Sequence, residues 1–324
     1  MELNGVPIEE TYAEAFGMYG SRVLITALNK RWALEAAKSM TGFATSVIGC
    51  GCEAGIEGVD PEETPDDRPG VSVLIFATSK KGLQEQLVNR IGQSVMTSPS
   101  SACYNALFEG DAWLRVGGKL RFFGDGFQIS KRLDPAIIFP PPSPSPLKGE
   151  GTGRGGGRAR RFWRIPVMDG EFVVEDRFAA KKSVGGGNFL ILGEDLASTL
   201  QATEGAIEAM RKVKGVILPF PGGIVRSGSK VGSRYKFLTA STNTPFCPTI
   251  QRQVASQLPE GVGAVLEVVI DGLSPEAVEE AMRVGIRAAC GPGVLKISAG
   301  NYGGKLGKYH FHLHKILQGV GEQG

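Results

Sequence analysis

Gly263–Ser298 reads G-A-V-L-E-V-V-I-D-G-L-S-P-E-A-V-E-E-A-M-R-V-G-I-R-A-A-C-G-P-G-V-L-K-I-S, and its rhythm decides the fold class. Gly263–Ile270 is an apolar, β-branched run of strand length. Ser274–Ala289 opens on a capping serine with Pro275 just inside, the start signal of a helix. Val294–Ser298 returns as a strand. Upstream the same order runs through Asn188–Leu192 (strand), Leu196–Val213 (helix) and Gly215–Leu218 (short strand). The first half repeats it. Arg22–Leu28 is expected as a strand, Lys30–Met40 as a helix and Thr45–Cys50 as a strand. Val71–Ala77 follows as a strand, Lys80–Met96 as a helix and Lys119–Phe123 as the closing strand. Strand–helix–strand, twice in each half, is the split βαβ plan. The expected class is α+β: two ferredoxin-like α/β sandwich lobes, helices covering one face of a mostly antiparallel sheet.

Between the halves lies Pro140–Arg161, with five prolines and six glycines in 22 residues. It has too few large apolar side chains to offset the entropy of ordering it, and reads as a disordered surface insert. The expected organisation is an N-terminal lobe over 1–139, the insert over 140–161 and a C-terminal lobe over 162–324. Lys148, Arg154, Arg158, Arg160 and Arg161 against Glu150 give the insert a net charge of +4, while the whole chain is only +3. The remainder is therefore −1, and no broad basic surface for nucleic acid is implied.

With 324 residues, 42% of them hydrophobic, two ordinary domains can each bury a core. No apolar run reaches membrane-spanning length, and Glu2, Glu9 and Glu10 do not fit a secretory signal. Five cysteines (Cys50, Cys52, Cys103, Cys247 and Cys290) are an odd count in a long chain, which suits a reducing cytoplasm better than a disulfide framework. The C-x-C at Cys50 and Cys52 lacks a second pair at zinc-finger spacing.

Chemistry concentrates in two strings. Pro219–Thr249 is P-F-P-G-G-I-V-R-S-G-S-K-V-G-S-R-Y-K-F-L-T-A-S-T-N-T-P-F-C-P-T, and Ser298–Leu313 is S-A-G-N-Y-G-G-K-L-G-K-Y-H-F-H-L. Each holds G-x-K-x-G (Gly228, Lys230, Gly232; Gly303, Lys305, Gly307) before an aromatic-rich strand pattern, Tyr235 and Phe237 in one, Tyr309 and Phe311 in the other. Such glycines let backbone amides approach a ligand, and the lysine adds a cation; a turn with a solvated lysine has the same letters. The run His310-Phe311-His312-Leu313-His314 alternates, so on a strand its histidines share one face where a metal could bind. An edge strand with a polar face fits equally.

These strings, with M-E-L-N-G-V-P-I-E-E-T-Y-A-E-A-F at the N-terminus, E-E-T-P-D-D-R-P-G at Glu62–Gly70 and G-K-L-R-F-F-G-D-G-F at Gly118–Phe127, resemble the formylmethanofuran:tetrahydromethanopterin formyltransferase family. W-R-I-P-V-M-D-G-E-F-V-V-E-D at Trp163–Asp176 and G-G-N-F-L-I-L-G at Gly186–Gly193 belong to the same pattern, which fails only around Asp134–Arg161. The resemblance implies two lobes related by duplication. It also implies a cytoplasmic enzyme of one-carbon metabolism that moves a formyl group reversibly between methanofuran and N5 of tetrahydromethanopterin. That metabolism is methanogenesis in archaea and formaldehyde oxidation in methylotrophic bacteria. Both molecules are substrates; no tightly bound cofactor or metal is implied. A homotetramer built as a dimer of dimers is expected, or membership of a formyltransferase/hydrolase complex.

For that chemistry the best proton shuttle is Glu267. Val265 and Val269 flank it on one face of the strand, and apolar neighbours raise a carboxyl's pKa toward neutrality. The same residue aligns with the family's acid–base glutamate; as a strand residue it would also fit a water-facing position. Anionic substrate tails suit Ser229, Lys230, Ser233, Lys236, Asn301, Tyr302 and Lys305. Asn188, Thr242 and Asn243 could supply neutral hydrogen bonds or oxyanion donors; each is equally suited to satisfying a turn. The competing function is a catalytically quiet subunit that binds pterin or methanofuran and docks partner subunits.

Overall fold

The computed structural model describes residues 1–133 and 160–319. The expected disordered insert therefore lies outside the described residues, except for its last two. Arg160 and Arg161 open the Arg160–Val167 strand, and Arg160 Nε donates to Glu175 Oε1 at 2.7 Å. The insert boundary drawn at 161 is too late by at least those two residues.

Two long strands, Tyr12–Thr26 and Arg177–Gly193, hold the molecule together. They pair antiparallel with each other only through Phe16–Gly20 and Lys181–Gly185. On one side of that crossing Tyr19–Thr26 pairs with Gly70–Ala77, and Arg177–Ala180 with Ala112–Arg115. On the other side Tyr12–Ala15 pairs with Tyr309–His312, while Val184–Gly193 pairs with Ala264–Gly272. The result is a large mixed sheet in which Gly170–Glu175 runs parallel to Ala102–Asn105.

Each side of the crossing buries its own core. In the first, Lys30–Thr41, capped by Asn29, turns Ala33, Ala36, Ala37 and Met40 onto Val73, Ile75 and Val23. Alanines at i, i+3 and i+4 let helix and sheet approach closely. In the second, Pro275–Ala289, capped by Ser274, presents Val278, Ala281, Met282, Ile286 and Ala289 to Val268 and Ile270. The cores do not follow the split at 139 and 162. Phe162 to Ala180 runs beside the first core, to which Ile165, Phe172, Val174, Phe178 and Ala180 belong, whereas Val6, Ile8, Ala13 and Ala15 belong to the second.

Four local expectations are corrected. Thr45–Cys50 is not a strand: Ser46 caps a helical turn at Val47–Cys50, Gly51 ends it with φ 75°, and the strand begins at Glu53. Lys119–Phe123 is not the closing strand either. Gly117 and Gly118 pack so closely on Glu175 and Asp176 that a Cβ would collide, and the chain turns through Gly117–Leu120 and Arg121–Gly124. The strand in that role is the short, fully buried Ala102–Asn105. After the first G-x-K-x-G, Tyr235 and Phe237 form no strand; they are exposed between the two-residue strands Lys230–Val231 and Ala240–Ser241. Finally, the histidine strand stops at His312 and helix begins at Leu313. His310 and His312 pack on the Tyr12 ring, while His314 reaches Ile8 O at 2.8 Å, so the three do not converge. Among the described residues no helix is long and apolar enough to cross a membrane.

Candidate active site

Along Ala264–Gly272, Val268 and Ile270 enter the helix-packed core, and alternation turns Val265, Glu267, Val269 and Asp271 to the opposite face. Glu267 is the register partner of Leu190 on one side and exchanges both backbone hydrogen bonds with Val225 on the other. The chain then leaves Val225 and folds over that face, which buries Glu267 to 2% exposure. Its Oε1 accepts from Ser229 Oγ at 2.5 Å; no donor within the described residues reaches its buried Oε2. Burial pushes the carboxyl up to about 7 and the Ser229 bond partly opposes this.

Beside the carboxyl is a small pocket of about 30 Å³, also lined by Thr242, Asn243, Arg226, Phe246 and Cys247. That is room for a group the size of a water molecule. The Cys247 thiol donates to Asn243 O at 3.3 Å and lies 3.3 Å from Thr242 Oγ1. Gly228 has φ 73°, and a Cβ there would meet Asn243 N at 2.7 Å. Only glycine lets the first loop lie this close to the Asn243 backbone.

Of the residues read from the sequence, Glu267, Ser229, Thr242, Asn243 and Tyr302 come together, Tyr302 through its hydroxyl, which donates to Ser229 O at 3.3 Å. Lys230 is half-buried one residue beyond Ser229. Others are placed differently. Ser233 Oγ accepts from Tyr235 N at 3.0 Å within its own turn, and Lys236 is exposed near the hairpin tip. Asn188 is buried and committed to structure: its Nδ2 donates to Gly186 O at 3.1 Å, and its Oδ1 accepts from Gly300 N at 2.6 Å. Asn301 bonds Thr11 Oγ1 and takes Gly303 N onto its own Oδ1. Lys305 is exposed.

The second G-x-K-x-G loop is not an open cradle of amides. Its Tyr302 and Gly304 N–H groups donate to Glu14 Oε1 at 2.5 and 2.6 Å, and Leu306 N donates to Oε2 at 2.8 Å. Glu14 is completely buried. Burial alone would raise its pKa, but the backbone donors at Leu306, Gly304 and Tyr302 together outweigh it and hold the carboxylate below its ordinary range. Sequence reasoning missed Glu14. The available signal was an acidic residue between Ala13 and Ala15 in a strand pattern, on the face away from those core alanines.

A second carboxyl pair also went unread. Asp271, four residues beyond Glu267 on the same face, takes Gly186 N onto Oδ1 at 3.0 Å, and Glu53 takes Val47 N onto Oε1 at 3.0 Å. The two carboxyls are close enough to influence each other, and among the described residues neither Glu53 Oε2 nor Asp271 Oδ2 meets a donor. Burial raises both pKa values; the Glu53 charge raises Asp271 further. A larger groove of about 630 Å³, lined by Phe43, Ile56, Ile217 and Pro219–Gly223, gives the P-F-P-G-G string a place at the edge of the same covering segment.

Comparison with known proteins places this arrangement. The family described as Formylmethanofuran-tetrahydromethanopterin formyltransferase matches residues 1–138, and that described as FTR, proximal lobe matches residues 170–316. A formylmethanofuran–tetrahydromethanopterin formyltransferase of Methylococcus capsulatus is 55% identical over 98% of this chain and 100% of its own. One from Methanopyrus kandleri is 51% identical over the same shares. The crystal structure of the formyltransferase/hydrolase complex from Methylorubrum extorquens with methylofuran contains a chain that superposes with a TM-score of 0.88, at 48% identity and 98% coverage of both. This chain belongs to the formylmethanofuran–tetrahydromethanopterin formyltransferase family.

Proposed function

We propose that the protein transfers a formyl group between formylmethanofuran and N5 of tetrahydromethanopterin in one-carbon metabolism, with Glu267 as the proton shuttle. The substrate pair rests on full-length relatives at about half identity. The observation that supports the shuttle is the buried carboxyl that lines the small pocket, with one oxygen held by Ser229 and the other without a partner among the described residues.

The pterin amine attacks the formyl carbon directly and a C–N bond forms. As the tetrahedral adduct collapses, the bond to the methanofuran nitrogen breaks. One proton must leave the attacking nitrogen and reach the departing one. A carboxyl with a pKa of about 7 is populated in both forms at neutral pH, so as carboxylate it takes that proton from the attacking nitrogen and as acid it hands it to the departing one. The Ser229 bond fixes which oxygen stays available. Thr242 and Asn243, on the pocket wall, are the candidates to donate to the adduct's oxyanion. Lys230, half-buried beside Ser229, is read as meeting anionic substrate charge, with Ser233, Lys236, Asn301 and Lys305 read as contributing further out along the same two loops. No step needs a covalent enzyme intermediate.

We read the two cores as ferredoxin-like lobes related by duplication, and the active molecule as a homotetramer built from dimers in the cytoplasm. The relationship to a formyltransferase/hydrolase complex makes docking to partner subunits a further expectation. Formyl exchange by the isolated protein, followed spectrophotometrically with both substrates, tests the activity. Turnover separates an enzyme from a catalytically quiet subunit, and its absence in folded, substrate-binding protein would favour the quiet subunit.

A further inference from the structure

Among the described residues Ser229 is the one side chain that bonds the Glu267 carboxyl, so what fixes Ser229 fixes the site. Its neighbour Gly228 rests on the Asn243 backbone, and its carbonyl accepts from the Tyr302 hydroxyl. Tyr302 belongs to the second loop, where Gly303 and Gly304 both have φ near 75° and no regular structure sets the path. That path is set from outside. Glu14 accepts three backbone N–H groups from residues 302, 304 and 306, and its own N donates to Gly300 O at 3.1 Å. Asn188 holds Gly300 from the opposite direction.

We propose that Glu14 is a positioning residue: by clamping the 300–306 loop it places the Tyr302 hydroxyl on the Ser229 carbonyl and so holds the Ser229 hydroxyl against Glu267. A glutamine at this position keeps one acceptor oxygen for Tyr302 N and Gly304 N but turns an NH2 toward Leu306 N, where two donors oppose each other. The loop then loosens at its Lys305 end. The consequence for formyl transfer rests on the reading of Glu267 as the shuttle; the tie itself does not, because Glu267 titrates whether or not it is catalytic.

The groups around Glu267 are Ser229, Arg226 and Cys247 from the covering segment and Tyr302 from the second loop, with Glu14 behind Tyr302. Losing the Ser229 bond raises the Glu267 midpoint, since that bond favours the charged form. Simply deleting the Glu14 charge acts in the opposite direction, as one less nearby anion lowers the midpoint. The sign therefore separates positioning from direct electrostatics, and general destabilisation moves neither.

The test is a carboxyl-carbon NMR titration of the full-length protein labelled at glutamate, with the Glu267 signal assigned by its loss in Glu267→Gln. Glu14→Gln and Tyr302→Phe are each expected to move the midpoint upward, as Ser229→Ala does, by up to about one pH unit. The double variant is expected to move it no further than Glu14→Gln alone. If Glu14→Gln does not fold, Glu14→Asp, an acceptor one methylene too short to span all three amides, takes its place. A midpoint that stays put or falls in the Glu14 variant overturns the proposal, even if Tyr302→Phe raises it. Glu267→Gln with undiminished turnover would sink the shuttle and leave the Glu14 result standing on its own.

Discussion

The loops at 228–232 and 303–307 share Gly-x-Lys-x-Gly, yet the first is folded down onto one buried carboxylate and the second is wrapped around another. Glu267, under the first loop, receives a single hydroxyl donor and its pKa rises to about 7. Glu14, inside the second, receives three backbone donors and its pKa falls. Both are shielded from solvent, but Glu267 is the more deeply desolvated and also has fewer fixed donors, so the two differences act together. A buried carboxylate with enough donors is a permanent anion and a structural rivet. With too few it becomes a group that exchanges protons near neutral pH.

Replacing Glu267 breaks the comparison most severely. Glu267→Gln keeps the size and an acceptor but cannot carry a proton, so turnover at saturating substrates should fall about 10²–10⁴-fold. The limb of the wild-type pH profile near 7 should vanish with it. Steady-state rates across pH, on protein shown to be folded by circular dichroism, check both.

Ser229→Ala sharpens the comparison by removing the one donor. Glu267 loses the bond that opposes burial, so the limb should move upward by about one pH unit, or ~1.4 kcal/mol in favour of the neutral form. Turnover below pH 7 should fall by about the same tenfold, as the base form becomes scarcer. A pH–rate profile in which the limb does not move would place the hydroxyl away from the carboxyl in solution.

The Glu53–Asp271 pair is the third variation, two neighbouring buried carboxyls that are both short of donors. Both pKa values are raised on folding, so above about pH 4 the folded chain binds more protons than the unfolded one. Stability attributable to the pair is then highest at low pH and is lost as pH rises toward the raised folded values. Asp271→Asn replaces one of the two carboxyls by an amide that does not titrate. It should flatten this slope, gaining about 1–2 kcal/mol relative to wild type at pH 8 compared with pH 5. Urea midpoints at the two pH values measure it; an unchanged slope would show that the pair is ionised and solvated.

The smallest effects belong to the lysines. Lys230 is half-buried beside Ser229, whereas Lys305 is exposed on a loop whose amides are spent on Glu14. Lys230→Ala should raise KM about three- to tenfold with little change in kcat, as expected when a cation binds charge present in ground and transition states alike. Lys305→Ala should raise it less than threefold. Equal effects would mean that the two loops serve the substrates symmetrically.

Much of this was legible in order and little of it in space. Periodicity placed the helix at 30, where apolar residues recur every three or four positions, and the Ser274–Pro275 start signal placed the one at 275. It failed at Thr45–Cys50 and Lys119–Phe123, where short apolar runs have no period and serine and glycine contacts decide the turn. Alternation put Glu267 on the face of Val265 and Val269, and the segment that leaves Val225 decided that this face is buried. Glu14 and Asp271 were not legible, because their roles depend on amides and carboxyls brought from 85 to 292 residues away.

By itself the sequence determined the family, much of the strand–helix rhythm and a glutamate flanked by valines on one strand face, since all three are written in local patterns and long shared strings. Tertiary structure alone decided that the two long strands cross and serve both cores. It also decided that one Gly-Lys loop covers Glu267 while its twin closes on Glu14. A carboxylate's charge state depends on how many donors the fold delivers to it, and donors from distant backbone leave no periodicity in the chain.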